Sequence, residues 1–145
     1  MPKSPGMRVA AVFAGIPLAT AVPAWADASL NGTYDLAWSD GDRSTWVITS
    51  TCANPNSCVA HIASDSTNAL SRWNGEAQLA NGRWTMVIDK PEGALCKDGS
   101  RAPIRNTYSW DVSTLSGTLV ASAGPICGES VPTSSSFTFT MSRVD

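Results

Sequence analysis

Charge, histidine and long apolar runs are all scarce in this 145-residue chain, and each shortage excludes a class of protein. Charged side chains make up 15% of the residues, with Lys+Arg 10 against Asp+Glu 12. That leaves no basic stripe to track a phosphate backbone and no charge-rich tail to stay unfolded. A single histidine, His61, gives nucleophilic hydrolysis one base of the usual kind and gives zinc too few nitrogen ligands. No Gly-x-Ser-x-Gly turn is there to raise a serine as nucleophile. Past residue 26 no stretch stays apolar over the roughly 20 residues of a spanning helix. Nor does any window there carry an apolar 3.6-residue period, which excludes coiled coils and helical bundles.

What is there begins with an address. Lys3 and Arg8 precede an apolar run from Val9 to Ala21, broken by Pro17 and followed by Pro23, and Ala24-Trp25-Ala26 places small residues where a signal peptidase reads. This layout predicts a secretory signal peptide over residues 1–26, cut after Ala26, and a single domain over 27–145. With no Cys near the cut, no lipid anchor is expected. The leader takes two cations and no acid with it, so the remaining domain is more acidic than the whole chain. Such a surface repels nucleic acid and anionic lipid headgroups alike. The expected location is secreted or extracytoplasmic.

Four cysteines, Cys52, Cys58, Cys96 and Cys127, lie beyond the leader, and an even number in an exported domain reads as two disulfides. Three pairings are possible. Cys52 and Cys58 bracket Ala-Asn-Pro-Asn-Ser, a turn-forming stretch that brings its ends together, so Cys52–Cys58 with Cys96–Cys127 is the economical choice. No metal or other cofactor is expected, because the five residues between the first two cysteines exceed the spacing of a zinc knuckle.

Alternation of apolar and polar residues, the period of a strand, is the strongest structural signal. It recurs at Tyr34/Leu36/Trp38, Trp46/Ile48, Ala60/Ile62, Trp84/Met86/Ile88, Tyr108/Trp110/Val112 and Phe137/Phe139/Met141. Leu119 marks a shorter strand. The pair Asn81-Gly82 predicts a two-residue hairpin turn, because type I′ geometry needs positive φ at both positions. That turn sets Ala80 opposite Arg83, Leu79 opposite Trp84 and Ala77 opposite Met86, which places the apolar residues of both strands on one face. Asn74-Gly75 resembles a second such turn. It would put Trp73 opposite Glu76 on the outer face, so either Trp73 is exposed or that loop is longer.

Strands are therefore expected over about 30–38, 44–51, 59–64, 76–80, 83–89, 106–112, 117–121 and 136–143, an all-β fold joined as an antiparallel meander. A barrel-like closure removes exposed edges; a two-sheet β-sandwich is the alternative. In a meander the loops alternate ends, so the Cys96 loop, the Cys127 loop and residues 39–43 share one end, and the Cys52–Cys58 clip takes the other.

Candidate chemistry is thin. His61 alternates with Ala60 and Ile62, which puts it on a solvent-facing strand position. Asp40 and Asp42 sit in Ser-Asp-Gly-Asp-Arg-Ser, where turns ask for Asp and Gly. Their spacing matches only the start of a calcium loop, without its terminal Glu. The polar stretch from Pro91 to Arg101 collects Lys90, Lys97 and Arg101, with Arg105 just beyond. Loops on a rigid scaffold are where binding residues gather, so Lys97, Asp98, Arg101 and Arg105 are the candidate ligand contacts. Trp73 joins them as the one tryptophan of the domain not assigned to the core.

The run Gly32-Thr33-Tyr34, then Ser44-Thr45-Trp46-Val47-Ile48 leading to Cys52 and Cys58, then Asn81-Gly82-Arg83-Trp84, Cys96-Lys97-Asp98-Gly99, Tyr108-Ser109-Trp110-Asp111 and the late Cys127, resembles a group of small exported β-rich proteins of mycobacteria and related actinobacteria. Similar segments form the outer, sensor-like domains of receptor serine/threonine kinases in those bacteria. The resemblance spans nearly the whole domain and implies no established activity and no catalytic residues.

Three functions compete on this reading. The first is a secreted, monomeric, non-enzymatic domain that binds a small ligand or a cell-envelope component through the Cys96 loop or a barrel mouth. The second is a small hydrolase using Asp40, Asp42 or His61, which requires those groups to converge. The third is a protein-docking surface around Trp73.

Overall fold

In a computed structural model, residues 29–65 and 72–144 are described, and the expected signal peptide lies outside them. Eight strands follow one another: β1 (Gly32–Trp38), β2 (Arg43–Asn54), β3 (Ser57–Asp65), β4 (Trp73–Ala80), β5 (Arg83–Leu95), β6 (Arg101–Asp111), β7 (Ser116–Ala123) and β8 (Thr133–Arg143). Each pairs antiparallel with the next, and β8 returns to β1 through Trp38↔Phe139 and Leu36↔Met141, closing the barrel. The sandwich alternative is thereby excluded. No helix forms among the described residues.

Inward positions carry the expected apolar residues: Leu36, Trp46, Ile48, Ala60, Ile62, Ala77, Trp84, Met86 and Trp110 are all essentially buried. The β4–β5 turn has Asn81 at φ 53° and Gly82 at φ 77°, the paired positive values of a type I′ turn. Its register is Ala80↔Arg83, Leu79↔Trp84 and Ala77↔Met86, as the alternation requires.

Two local expectations are corrected. Asn74-Gly75 is no turn: β4 begins at Trp73, opposite Ser64, and Trp73, Gly75, Ala77 and Leu79 share the inner face. The reason is volume. A Cβ on Gly75 would collide with Ile88 Cδ1 and stand 2.7 Å from Met86 Sδ, so any side chain there has to displace the ends of those β5 residues from the interior. The polar stretch after Asp89 is likewise not a long loop. β5 and β6 continue past the rest of the barrel as a two-stranded arm, Ala94↔Ala102 and Leu95↔Arg101, turning over residues 96–100. A bulge between Lys90 and Ala94 takes up Pro91-Glu92-Gly93, which broke the alternation in the sequence.

The two disulfides pair as expected, Cys52–Cys58 and Cys96–Cys127. Cys52 faces Cys58 across the β2–β3 hairpin at the end of the barrel where the chain enters, here called the lower end. Cys96–Cys127 ties the tip of the arm to the β7–β8 loop at the upper end. Leu30, just ahead of β1, is buried at the lower end; its N–H donates to Ser50 Oγ at 2.9 Å, and Ser50 N–H donates to Asn31 Oδ1 at 3.0 Å.

Candidate functional site: the upper mouth of the barrel

Aromatic packing runs up the barrel axis. In the lower half the Trp84 and Trp110 rings stack at 6.2 Å, both fully buried, and neither indole N–H has a hydrogen-bond partner. Trp46 links the halves, with its ring 5.6 Å from Trp110 below and 5.5 Å from Trp73 above. At the upper end the side chains no longer fill the space. Trp38, Trp46, Trp73, Tyr108, Leu119 and Phe137 border a cavity of about 440 Å³ that opens between the upper loops. Clefts that hold small ligands span roughly 300–1,000 Å³.

Each wall of this mouth has a local cause. Trp38 ends β1 and donates its indole N–H to Ser44 Oγ at 2.8 Å, which fixes the ring over the opening. Tyr108 forms the floor, and Asn106, buried beside it on the inner face of β6, hydrogen-bonds its phenol. Burial outweighs that bond and pushes the Tyr108 phenol up to about 12. Lys90 follows Trp84, Met86 and Ile88 in the inward alternation of β5 and so lines the cavity wall. It is half-buried, and desolvation lowers its pKa from the usual lysine value. The bulge beside it places the same side chain at the border of two outer recesses, one toward β4 and one toward β7.

The rim is charged. Asp40 and Asp42 lie on the exposed β1–β2 connection, and Arg43, also exposed, opens β2. There Asp40 Oδ1 accepts the Asp42 N–H at 3.0 Å, and the loop is closed by Trp38 N–H donating to the Asp42 carbonyl at 2.9 Å. These are the bonds of a tight turn.

No family model, curated protein or solved structure matches this chain. The site therefore rests on its own geometry.

That geometry sorts the residues singled out in the sequence. Trp73 belongs to the mouth: it is half-buried, with Tyr108 at 5.5 Å. Lys97 and Asp98 are at the tip of the arm, exposed, beside the Cys96–Cys127 bridge. Asp98 Oδ1 accepts both the N–H and the hydroxyl of Ser100, and those bonds lower its pKa. Arg101 reaches the Glu92 carbonyl at 3.4 Å on the arm. Arg105 faces outward and is held by Asp89, Nε to Oδ1 at 2.7 Å and Nη2 to Oδ2 at 3.2 Å. The cations of this region are thus spread over arm and outer wall and do not form one site.

The hydrolase grouping is not assembled either. His61 is on the outside of β3, its Nδ1 3.8 Å from Glu76 Oε2, with both side chains exposed. Asp40 and Asp42 are on the upper rim, in a different recess. Among the described residues no cluster of His, Cys, Asp and Glu is arranged to hold a metal ion.

Lys90 and the lining role of Trp38, Trp46, Tyr108 and Phe137 were not drawn from the sequence. One signal was available: extending Trp84/Met86/Ile88 by a single step places Lys90 on the inner face.

Proposed function

We propose that this chain is an exported, non-enzymatic binding domain that takes a small amphiphilic ligand into the upper mouth of its barrel. The observation that carries this reading is the change in packing along one axis: a core filled by Trp84 and Trp110 gives way to a cavity of about 440 Å³ walled by aromatic rings, of which Trp38, Trp73 and Phe137 are half-buried. Eight-stranded up-and-down barrels have an interior of the size to hold one small ligand, and a mouth is where such barrels hold it. Two disulfides are consistent with an oxidising, extracytoplasmic setting. Export itself rests on the leader-like sequence, and a sensor-like role is what the resemblance to kinase outer domains implies.

Tryptophan emission tests the binding reading. An apolar fluorescent probe, N-phenyl-1-naphthylamine, is expected to gain emission and quench the protein's tryptophans saturably. Trp73→Ala should weaken both effects, while His61→Ala leaves them unchanged. Equal binding by wild type and Trp73→Ala, or no saturable binding of any apolar probe, overturns the reading.

A further inference from the structure

We propose that the mouth selects ligands that carry an acidic group on a planar apolar body, with Lys90 as the residue that pairs with that group. This inference rests on the mouth being the binding site and adds the chemical class of what enters.

The argument starts from which charges at the upper end are already answered. The ion pairs among the described residues are His61 with Glu76 and Arg105 with Asp89, both on the outer wall. Asp89, the acid nearest to Lys90 in sequence, points outward and is held by two bonds to Arg105. Lys90 points the other way and has no carboxylate partner among the described residues, although it is half-buried on the cavity wall. The remaining acids of the mouth, Asp40 and Asp42, are exposed on the rim, and Asp40 is occupied by its own turn.

Of the charged residues that border the cavity, Lys90 is therefore the half-buried one, whereas Asp40, Asp42 and Arg43 are exposed at the rim. Partial burial of a cation without a carboxylate partner is unfavourable, and an incoming anion offsets that cost by supplying a charge-assisted hydrogen bond in a desolvated setting. A cationic ligand meets the reverse: it is drawn to the rim by Asp40 and Asp42 but meets Lys90 once inside. The rings of Trp38, Trp46, Trp73 and Phe137 supply flat apolar walls for the body of the ligand. Carboxylates and sulfonates on aromatic or extended apolar frames fit both requirements.

A matched pair of probes separates this claim from the reading beneath it. 1-Anilinonaphthalene-8-sulfonate and N-phenyl-1-naphthylamine share an apolar frame and differ by the sulfonate. Both are titrated into wild type, Lys90→Met and Lys90→Arg, with near-ultraviolet circular dichroism confirming that each variant keeps its packed aromatic core. The sulfonate probe is expected to bind Lys90→Met about tenfold more weakly than wild type, and Lys90→Arg within about threefold of it. The neutral probe should bind all three alike. Added salt should weaken sulfonate binding to wild type and leave Lys90→Met unaffected. If the sulfonate probe keeps its affinity in Lys90→Met while both probes still quench the mouth tryptophans, the acidic-ligand proposal is overturned and the mouth remains a binding site. If neither probe responds to Trp73→Ala, both claims fall together.

Discussion

The two ends of this barrel are built from the same residue types and are put to opposite uses. At the lower end, Trp84 and Trp110 are fully buried and stacked, Leu30 is tucked in beside Ser50, and Cys52–Cys58 clips the β2–β3 hairpin. At the upper end, Trp38 and Trp73 are half-buried, their neighbours leave a cavity, and a lysine stands on its wall. The treatment of the indole N–H follows the same division. Trp38 donates to Ser44, whereas Trp84 and Trp110 lie where no partner is in reach. A tryptophan whose polar edge is satisfied at a wet rim is suited to lining a site, and one with that edge buried unpaired contributes only its volume to packing.

The sharpest way to break this contrast is to remove one ring from each end. Trp110→Ala is expected to lower stability by about 3–5 kcal/mol, the range for losing a large buried aromatic. Trp73→Ala should lower it by about 1–2 kcal/mol, because the half-buried ring gives up less apolar area. Urea denaturation followed by far-ultraviolet circular dichroism reads both. Equal losses would mean that the mouth is core like the rest.

Next in size are the disulfides, and here the open end should prove the more dependent. Cys96–Cys127 spans a sequence separation of 31 and Cys52–Cys58 one of 6. Loop entropy alone assigns about 3.7 kcal/mol to the former and about 2.4 kcal/mol to the latter. Thermal unfolding of the Cys96→Ser/Cys127→Ser and Cys52→Ala/Cys58→Ala double variants compares them. The reverse order would show that burial of Cys58 in the core outweighs chain entropy.

A smaller difference is expected between the two glycines of the inner wall. A Cβ on Gly117 would run into the Ser109 carbonyl oxygen, stand 2.6 Å from Trp110 Cβ and 2.8 Å from the Phe139 ring. The first is a backbone atom and the second the root of a buried ring, neither of which can give, so Gly117→Ala should cost about 2 kcal/mol through overpacking. At Gly75 the obstructing atoms are the flexible ends of Ile88 and Met86, and Gly75→Ala should cost less than about 1 kcal/mol. Denaturant midpoints of the two variants decide it.

How much of this contrast was legible in the residues depends on the feature. Strand positions, the Asn81-Gly82 register and both disulfides follow from local rules, and the structure bears them out. Alternation names a face without saying whether that face is filled. Trp46 and Tyr108 are core, as the alternation implies, with Trp38 packed against them; that they also border a cavity is set by what lies across the barrel, from strands far apart in the chain. Closure through β1 and β8 is of the same kind, since it joins the first strand to the last. Trp73 was misplaced because Gly75 has two readings, turn former or space maker, and only the β5 side chains opposite it choose between them. Lys90 continues the inward alternation but is polar, so an apolar pattern stops at Ile88, one step short of it. Residues 91–101 read as a loop although Ala94, Leu95 and Arg101 pair, because Pro91 and Gly93 interrupt the period without ending the ribbon.

The smallest effect concerns the turns at the two ends, and it tests whether acid loosens them alike. Asp111 closes the β6–β7 turn at the lower end, where Oδ1 accepts the N–H groups of Ser113 at 2.8 Å and Thr114 at 2.9 Å and the Ser113 hydroxyl at 2.7 Å. Those bonds, led by the one from the Thr114 backbone, hold its carboxyl down to about 2. Asp98 does the same work at the tip of the arm with Ser100 alone. A carboxyl depressed in the folded state takes up its proton later than in the unfolded chain, so the stability it contributes is complete above the unfolded carboxyl range near 4. That contribution is lost as pH falls toward 2. Thermal midpoints measured across this window should therefore decline in wild type, and the decline should be shallower in Asp111→Asn, whose amide does not titrate. Asp98→Asn should flatten the curve less, because fewer bonds favour the ionised form there. If Asp98→Asn has the larger effect, the arm and not the closed end governs how the fold responds to acid, and the lower end loses its standing as the more firmly fastened half of the barrel.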